Sequence, residues 1–165
     1  MSMLFLFLMQ IAILAYALVG GVFLAFSDFI MRSLALSGAG AGTMQVINRE
    51  VFRWIFMGLF LGLAPLSIAL ALYALLALDG HGGALIAVAG LIYVVGVFGV
   101  TVLRNVPLNN ALAELSLDAP ETERFWTGVY LPRWTFWNTV RAGACTLSAA
   151  FLLLGVWASL QGTLV

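Results

Sequence analysis

Polar and apolar positions do not alternate along this chain; they separate into blocks. Residues 1–27, 54–78, 80–103 and 142–165 contain no Asp, Glu, Lys or Arg, and all fourteen charges fall elsewhere. Each block is 24 to 27 residues long, where a helix needs roughly 20 apolar residues to cross the hydrocarbon layer. Helices of a soluble protein carry a polar face, and these blocks have none. The pattern predicts an all-α fold, a four-transmembrane-helix bundle with short amphipathic helices in the connections. The chain reads as one four-span membrane domain over 1–165, with spans at about 3–27, 54–78, 83–104 and 139–161.

Local signals refine the elements. Ala17, Gly21 and Ala25, and likewise Gly58 and Gly62, recur every four residues and predict small-residue packing ridges, through which copies of the chain could also pair. Gly38 to Gly42 reads as a flexible turn, with Thr43 capping a helix that carries Gln45, Asn48 and Arg49. Pro65 predicts a kink inside the second span. The tight Asp79–Gly83 turn makes spans two and three antiparallel neighbours. Val106, preceding Pro107, predicts a helix break. Asp118 is the expected cap of a helix with Pro120 in its first turn, and Pro132 is expected to bend or interrupt that helix.

Composition and charge then set the environment. Hydrophobic residues make up 64% of the chain and charged ones 8%, against roughly 25% charged in a soluble domain, so the expected partner is a lipid bilayer. All seven basic residues are arginines, and all fall in the first and third connections. Both long connections are therefore expected in the cytoplasm and both termini outside it. Arginine without lysine, with heavy Ala, Gly and Leu use, fits a GC-rich bacterial genome and hence a bacterial inner membrane. The amino terminus lacks the basic region and cleavage site of a secretory signal, so the first span is expected to stay. Cys145 has no partner for a disulfide. With one histidine, His81, and one cysteine, no metal site of the usual types can be assembled, and no metal is expected. Basic residues too few and too well balanced by acids exclude nucleic-acid binding.

Candidate chemistry gathers at one membrane boundary. On a helix, Trp126, Tyr130, Trp134, Trp137 and Arg141 step by 4, 4, 3 and 4 and share a face. Asn105, Asn109 and Asn110 follow the third span, Asn138 sits beside Trp137, and Asn48 lies in the first connection. The aromatic rings suit a headgroup-level belt as well as a ligand pocket. The amides suit helix bridging as well as binding of a carbonyl or phenol. Arg141 opens a 24-residue apolar run, where a cation must reach the headgroups, pair with Asp28 or Glu50, or hold an anion.

Four stretches, Gly21 to Ser27, Met44 to Asn48, Asn105 to Asn110 and Trp134 to Arg141, resemble the anthrone oxygenase-like integral membrane proteins. The resemblance runs over nearly the whole chain and implies a four-helix membrane bundle. It also implies oxidation of anthrones to anthraquinones by molecular oxygen without a known cofactor. The resemblance implies histidine in many relatives after the asparagine of the Trp-Asn motif, where this chain has Thr139 and hence no imidazole to shuttle a proton. An anthrone-oxygenase-like monooxygenase would need a base, for which Asp28 comes first and Glu50 second. Arg141, Asn105, Asn109 and Asn138 would stabilise a developing phenolate. Trp126, Tyr130, Trp134 and Trp137, with Asn48, would hold a hydrophobic aromatic small molecule. The competing expectation is a non-catalytic membrane subunit, scaffold or small-molecule carrier.

Overall fold

The computed structural model describes residues 2–53 and 55–161. Five helices account for almost all of them: α1 (Met3–Leu36), α2 (Gly40–Glu50), α3 (Ile55–Ala77), α4 (His81–Ala113) and α5 (Pro120–Gln161). No strand occurs among the described residues. All but α2 are long and apolar enough to cross a membrane, and α1, α4 and α5 extend well past the charge-free blocks at the arginine-bearing end. They pack as a ring in which α1 touches α3 and α5, and α4 touches α3 and α5. A Gly80 turn with φ of 83° makes α3 and α4 antiparallel neighbours, as the Asp79–Gly83 signal requires.

The core is apolar over most of its length. Met9, Tyr16, Val19, Ile86, Tyr93 and Leu152 are fully buried between the four helices. Two phenols enter this region and both are satisfied. Tyr16 and Ser67 hydroxyls lie 2.6 Å apart, and the Tyr93 hydroxyl donates to the Phe60 carbonyl at 2.9 Å. The small-residue ridges do not lie where spacing placed them. Gly21, Gly58 and Gly62 face outward with nothing within 4 Å of a would-be Cβ, and Ala17 is exposed. Close approach occurs one residue earlier, where a Cβ on Gly20 would sit 2.9 Å from Cys145 Cβ. The phase of α1 is set by Tyr16, Val19 and Phe23 turning inward, and Gly20 shares that side.

The helices survive the sequence breakers by widening. π-type turns with i to i−5 hydrogen bonds occupy Phe26–Ile30, Thr101–Asn105 and Trp126–Tyr130 at the arginine-bearing end, and a fourth spans Tyr93–Gly99. The expected break at Val106 is absent: its N–H bonds to the Thr101 carbonyl, and its φ of −60° and ψ of −45° are helical. The expected interruption at Pro132 is absent too, with Leu131 N–H reaching the Trp126 carbonyl. Both prolines come two residues after a π turn. A proline ring collides with the carbonyl one turn back in a regular helix, and the wider turn makes room for it. Pro65 lies on the exposed side of an uninterrupted α3.

Two caps also differ from expectation. Helix α2 starts at Gly40, before Thr43, and Ala39 takes the cap position. A Cβ on Gly40 would overlap the Leu34 carbonyl, so glycine lets α2 fold back tightly against α1. Helix α5 starts at Pro120 with Ala119, not Asp118, as its cap, while Glu121 and Glu123 take the favourable acidic first-turn positions. Gln45 then ties α2 to the end of α4, donating to the Leu112 and Leu115 carbonyls at 2.8 and 3.0 Å. The contact ties α2 to the carbonyls at the end of α4, where the Leu112 carbonyl also accepts from the Leu115 N–H at 3.3 Å, and closes that end of the bundle.

Candidate active site

The second buried cluster lies between the π turns and α2. Met31, Met44, Leu112, Trp126, Tyr130 and Trp134 form it, with Phe26 and Leu131 packed alongside. The three large rings of α5 stack in succession. Trp126 and Tyr130 centroids are 5.3 Å apart with 25° between planes, and Tyr130 and Trp134 are 6.2 Å apart with 16°. Their polar atoms converge on one amide. Asn109 Oδ1 accepts from the Tyr130 hydroxyl and from Trp134 Nε1, both at 2.8 Å, and Asn48 Nδ2 donates to the Tyr130 oxygen at 3.3 Å.

One turn further into the bundle, one amide and one hydroxyl hold a guanidinium. Asn138 is fully buried, and its Nδ2 donates to the Phe23 carbonyl and to Ser27 Oγ, each at 2.6 Å. Its Oδ1 accepts from Arg141 at 2.8 Å, and Arg141 also donates to Thr101 Oγ1 at 3.2 Å. The Arg141 guanidinium carbon stands 4.2 Å from the Phe23 ring centroid and 5.3 Å from that of Trp134. Arg141 is 5% exposed and pairs with no carboxylate among the described residues. A cation within a membrane helix costs about 2.5–3.5 kcal/mol on insertion scales. Two charge-assisted hydrogen bonds, at about 1.5–3 kcal/mol each, and aromatic faces at about 2 kcal/mol when desolvated are enough to offset it. Polar neutral groups and rings therefore hold this charge.

The sequence-predicted residues divide into three groups. Asn48, Asn109, Trp126, Tyr130 and Trp134 come together in the stack; beside it Asn138 holds Arg141, and Asn105 bonds the Trp134 carbonyl. Trp137 leaves the group: it packs on Phe136 and beneath the Arg104 guanidinium at 4.9 Å. Continuing in steps of four from Trp134 brings Asn138, not Trp137, to the inner face. Asp28 is exposed and makes no ion pair with Arg32 or Arg141. Glu50 is exposed too and pairs with Arg53 at 3.1 Å. Ser27, Thr101 and the Phe23 ring and carbonyl are site components that sequence reading missed, although Thr101 and Asn105, four residues apart at the end of an apolar run, mark one helical face.

Two atoms in this region have no partner. Asn105 Nδ2 donates to the Trp134 carbonyl at 3.2 Å, but Asn105 Oδ1 is buried and unbonded, as is Arg141 Nε. Asn105 and Thr101 lie on the same seam of α4 against α5, so an orphan acceptor and an orphan donor flank Trp134. Buried polar groups are otherwise almost always satisfied, so these two atoms stand out. No grouping of three or more His, Cys, Asp or Glu that could hold a metal occurs among the described residues.

Comparison with curated proteins and with solved structures gives no match. The family model described as anthrone oxygenase matches residues 49–151, more than half of the chain. That stretch includes Asn105, Asn109, Trp126, Tyr130, Trp134, Asn138 and Arg141, while Asn48, Ser27 and Phe23 lie before it. With four apolar helices, an aromatic stack and a buried guanidinium at one end, the chain belongs to the anthrone oxygenase family.

Proposed function

We propose that this protein is an integral membrane oxidoreductase that oxidises a flat, hydrophobic, anthrone-like molecule with molecular oxygen. The observation that carries this reading is the buried orphan atoms, Asn105 Oδ1 and Arg141 Nε, beside stacked aromatic rings. An anthrone has an acidic carbon opposite its carbonyl. Loss of one proton leaves an anion whose charge resides largely on that oxygen. Arg141 Nε is a free charge-assisted donor for such an oxyanion, and the Asn105 carbonyl suits a neighbouring hydroxyl. The preorganised guanidinium lowers the cost of forming the anion, which reacts with oxygen. The net change is one anthrone and one O2 giving one anthraquinone and one water. Asp28 is exposed rather than in the cluster, so the role this geometry supports is oxyanion stabilisation, with the proton leaving to solvent. The arginine-bearing end faces the cytoplasm and both termini lie outside it, in keeping with the retention of basic residues on the cytoplasmic side.

The test is oxygen uptake by the purified protein in lipid nanodiscs supplied with an anthrone, corrected for autoxidation in empty nanodiscs. Stoichiometric uptake that falls on Arg141→Gln is the expected result, and uptake equal to empty nanodiscs refutes the reading. A second reading, a non-catalytic subunit or scaffold, draws on the internal bonding of Asn109 and Asn138, whose oxygens are used by Tyr130, Trp134 and Arg141. On that reading the same substitution changes stability and no turnover.

A further inference from the structure

The aromatic stack has no open mouth of its own, since Trp126, Tyr130 and Trp134 are all buried. Immediately outside it, a shallow groove of about 550 Å³ runs along the α1/α5 seam at the arginine-bearing end. Met31, Arg32, Leu131, Thr135, Phe136 and Thr139 are among its walls. Met31 is shared: it is 2% exposed and belongs to the cluster with Trp126, Tyr130 and Trp134. Leu131 packs against the same cluster. Met31 and Leu131 thus touch both groove and cluster, and one is methionine, the most adaptable apolar side chain.

The polar features of the groove are specific as well. Arg32 has no ion-pair partner among the described residues, so its charge is uncompensated there. Thr139 Oγ1 lies 2.9 Å from both Ser27 Oγ and the Thr135 carbonyl, and its single proton can serve only one of them. Ser27 is also the partner of Asn138, which holds Arg141. The hydrogen-bonded network around the buried guanidinium therefore surfaces in this groove at Thr139.

We infer that the α1/α5 groove is the lateral docking site through which a flat lipophilic molecule with a hydrogen-bond-accepting oxygen passes from the bilayer to the aromatic stack. Arg32 holds the oxygen, Leu131 and Phe136 receive the rings, and displacement of Met31 admits the molecule. The occupant follows from the walls: apolar surface for rings, an exposed cation without an ion-pair partner among the described residues for an oxygen, and continuity with the buried network at Thr139. This inference rests on the enzymatic reading for its purpose but is tested by binding alone.

The experiment uses the full chain in phosphatidylcholine nanodiscs with Cys145→Ala and a single reporter, Thr135→Cys labelled with bimane. A control carries the label at Leu147→Cys, on an exposed apolar position of α5 away from the groove. The probe is 9,10-anthraquinone, which quenches the label on contact. Saturable quenching at position 135 and only linear, partition-driven quenching at 147 is the expected result. Arg32→Gln should weaken the saturable phase about tenfold, the scale of one lost charge-assisted hydrogen bond. Linear quenching at both positions overturns the inference, as does affinity indifferent to Arg32→Gln. Loss of the saturable phase on replacing phosphatidylcholine with phosphatidylglycerol identifies the groove as an anionic-lipid site and overturns it too. Saturable binding without oxygen uptake would leave the groove and remove the enzyme, whereas uptake without saturable binding would do the reverse.

Discussion

The buried guanidinium makes a prediction about coupling that differs from the intuitive ranking of its residues. Asn138→Leu removes the Arg141 hydrogen bond at 2.8 Å and both bonds from Nδ2, while keeping a similar volume. The Phe23 carbonyl keeps its helical partner at the Phe26 N–H, so little is lost there. Arg141 is left with Thr101 and the two aromatic faces. Neutral hydrogen bonds between membrane helices average about 0.6 kcal/mol, but a buried donor deprived of its acceptor costs about 1–3 kcal/mol, and more when it is charged. Asn138→Leu should therefore cost roughly 3 kcal/mol. Arg141→Met should cost less, because it removes the charge together with its need for partners, leaving only the Asn138 oxygen unsatisfied at about 1–3 kcal/mol. The double variant should be more stable than Asn138→Leu alone, a favourable coupling of at least 1 kcal/mol or so. Equilibrium unfolding in mixed micelles, followed by tryptophan fluorescence, measures all four corners. Additive effects, with coupling below about 0.5 kcal/mol, would mean that Arg141 is not held by Asn138 and would refute the offset argued above.

Three further outcomes follow from the packing. Asp28→Asn should leave oxygen uptake within about twofold, and a loss of a hundredfold or more, the scale of a missing general base, would return Asp28 to the chemistry. Gly20→Val drives a side chain into Cys145 and should cost about 1–3 kcal/mol, while Gly21→Val, with nothing within 4 Å, should be nearly neutral. Equal thermal shifts for the two would put the α1/α5 contact elsewhere. Gln45→Leu cuts both ties between α2 and the end of α4, so amide exchange in α2 should accelerate selectively, and unchanged protection would show that Met44 alone anchors it.

Some of this architecture was legible in the chain itself. Charge-free blocks longer than the hydrocarbon layer is thick dictate four helices, because a backbone in lipid must satisfy its own hydrogen bonds. The arginines and the amides at the ends of those blocks mark one end as the polar one, and the steps of four from Trp126 to Trp134 foretell the stack. What spacing could not supply was helix phase and local pitch. Proline after Val106 and after Leu131 reads as a break, yet π turns absorb both rings and carry the helices on. The same counting puts Trp137 on the inner face and misses Asn138 there, since the steps of four run on past Trp134. The small-residue ridge fails for a related reason: Gly20 and Gly21 are equivalent as letters, and only the inward turn of Tyr16, Val19 and Phe23 selects Gly20. Ser27, Thr101 and Phe23 became site residues because α1 and α4 both lie against α5. Membrane solvation acts on each segment independently and is written in its composition. Which polar atoms meet is settled only when three segments share a seam, because a hydrogen bond depends on the position and angle of atoms that lie far apart along the chain.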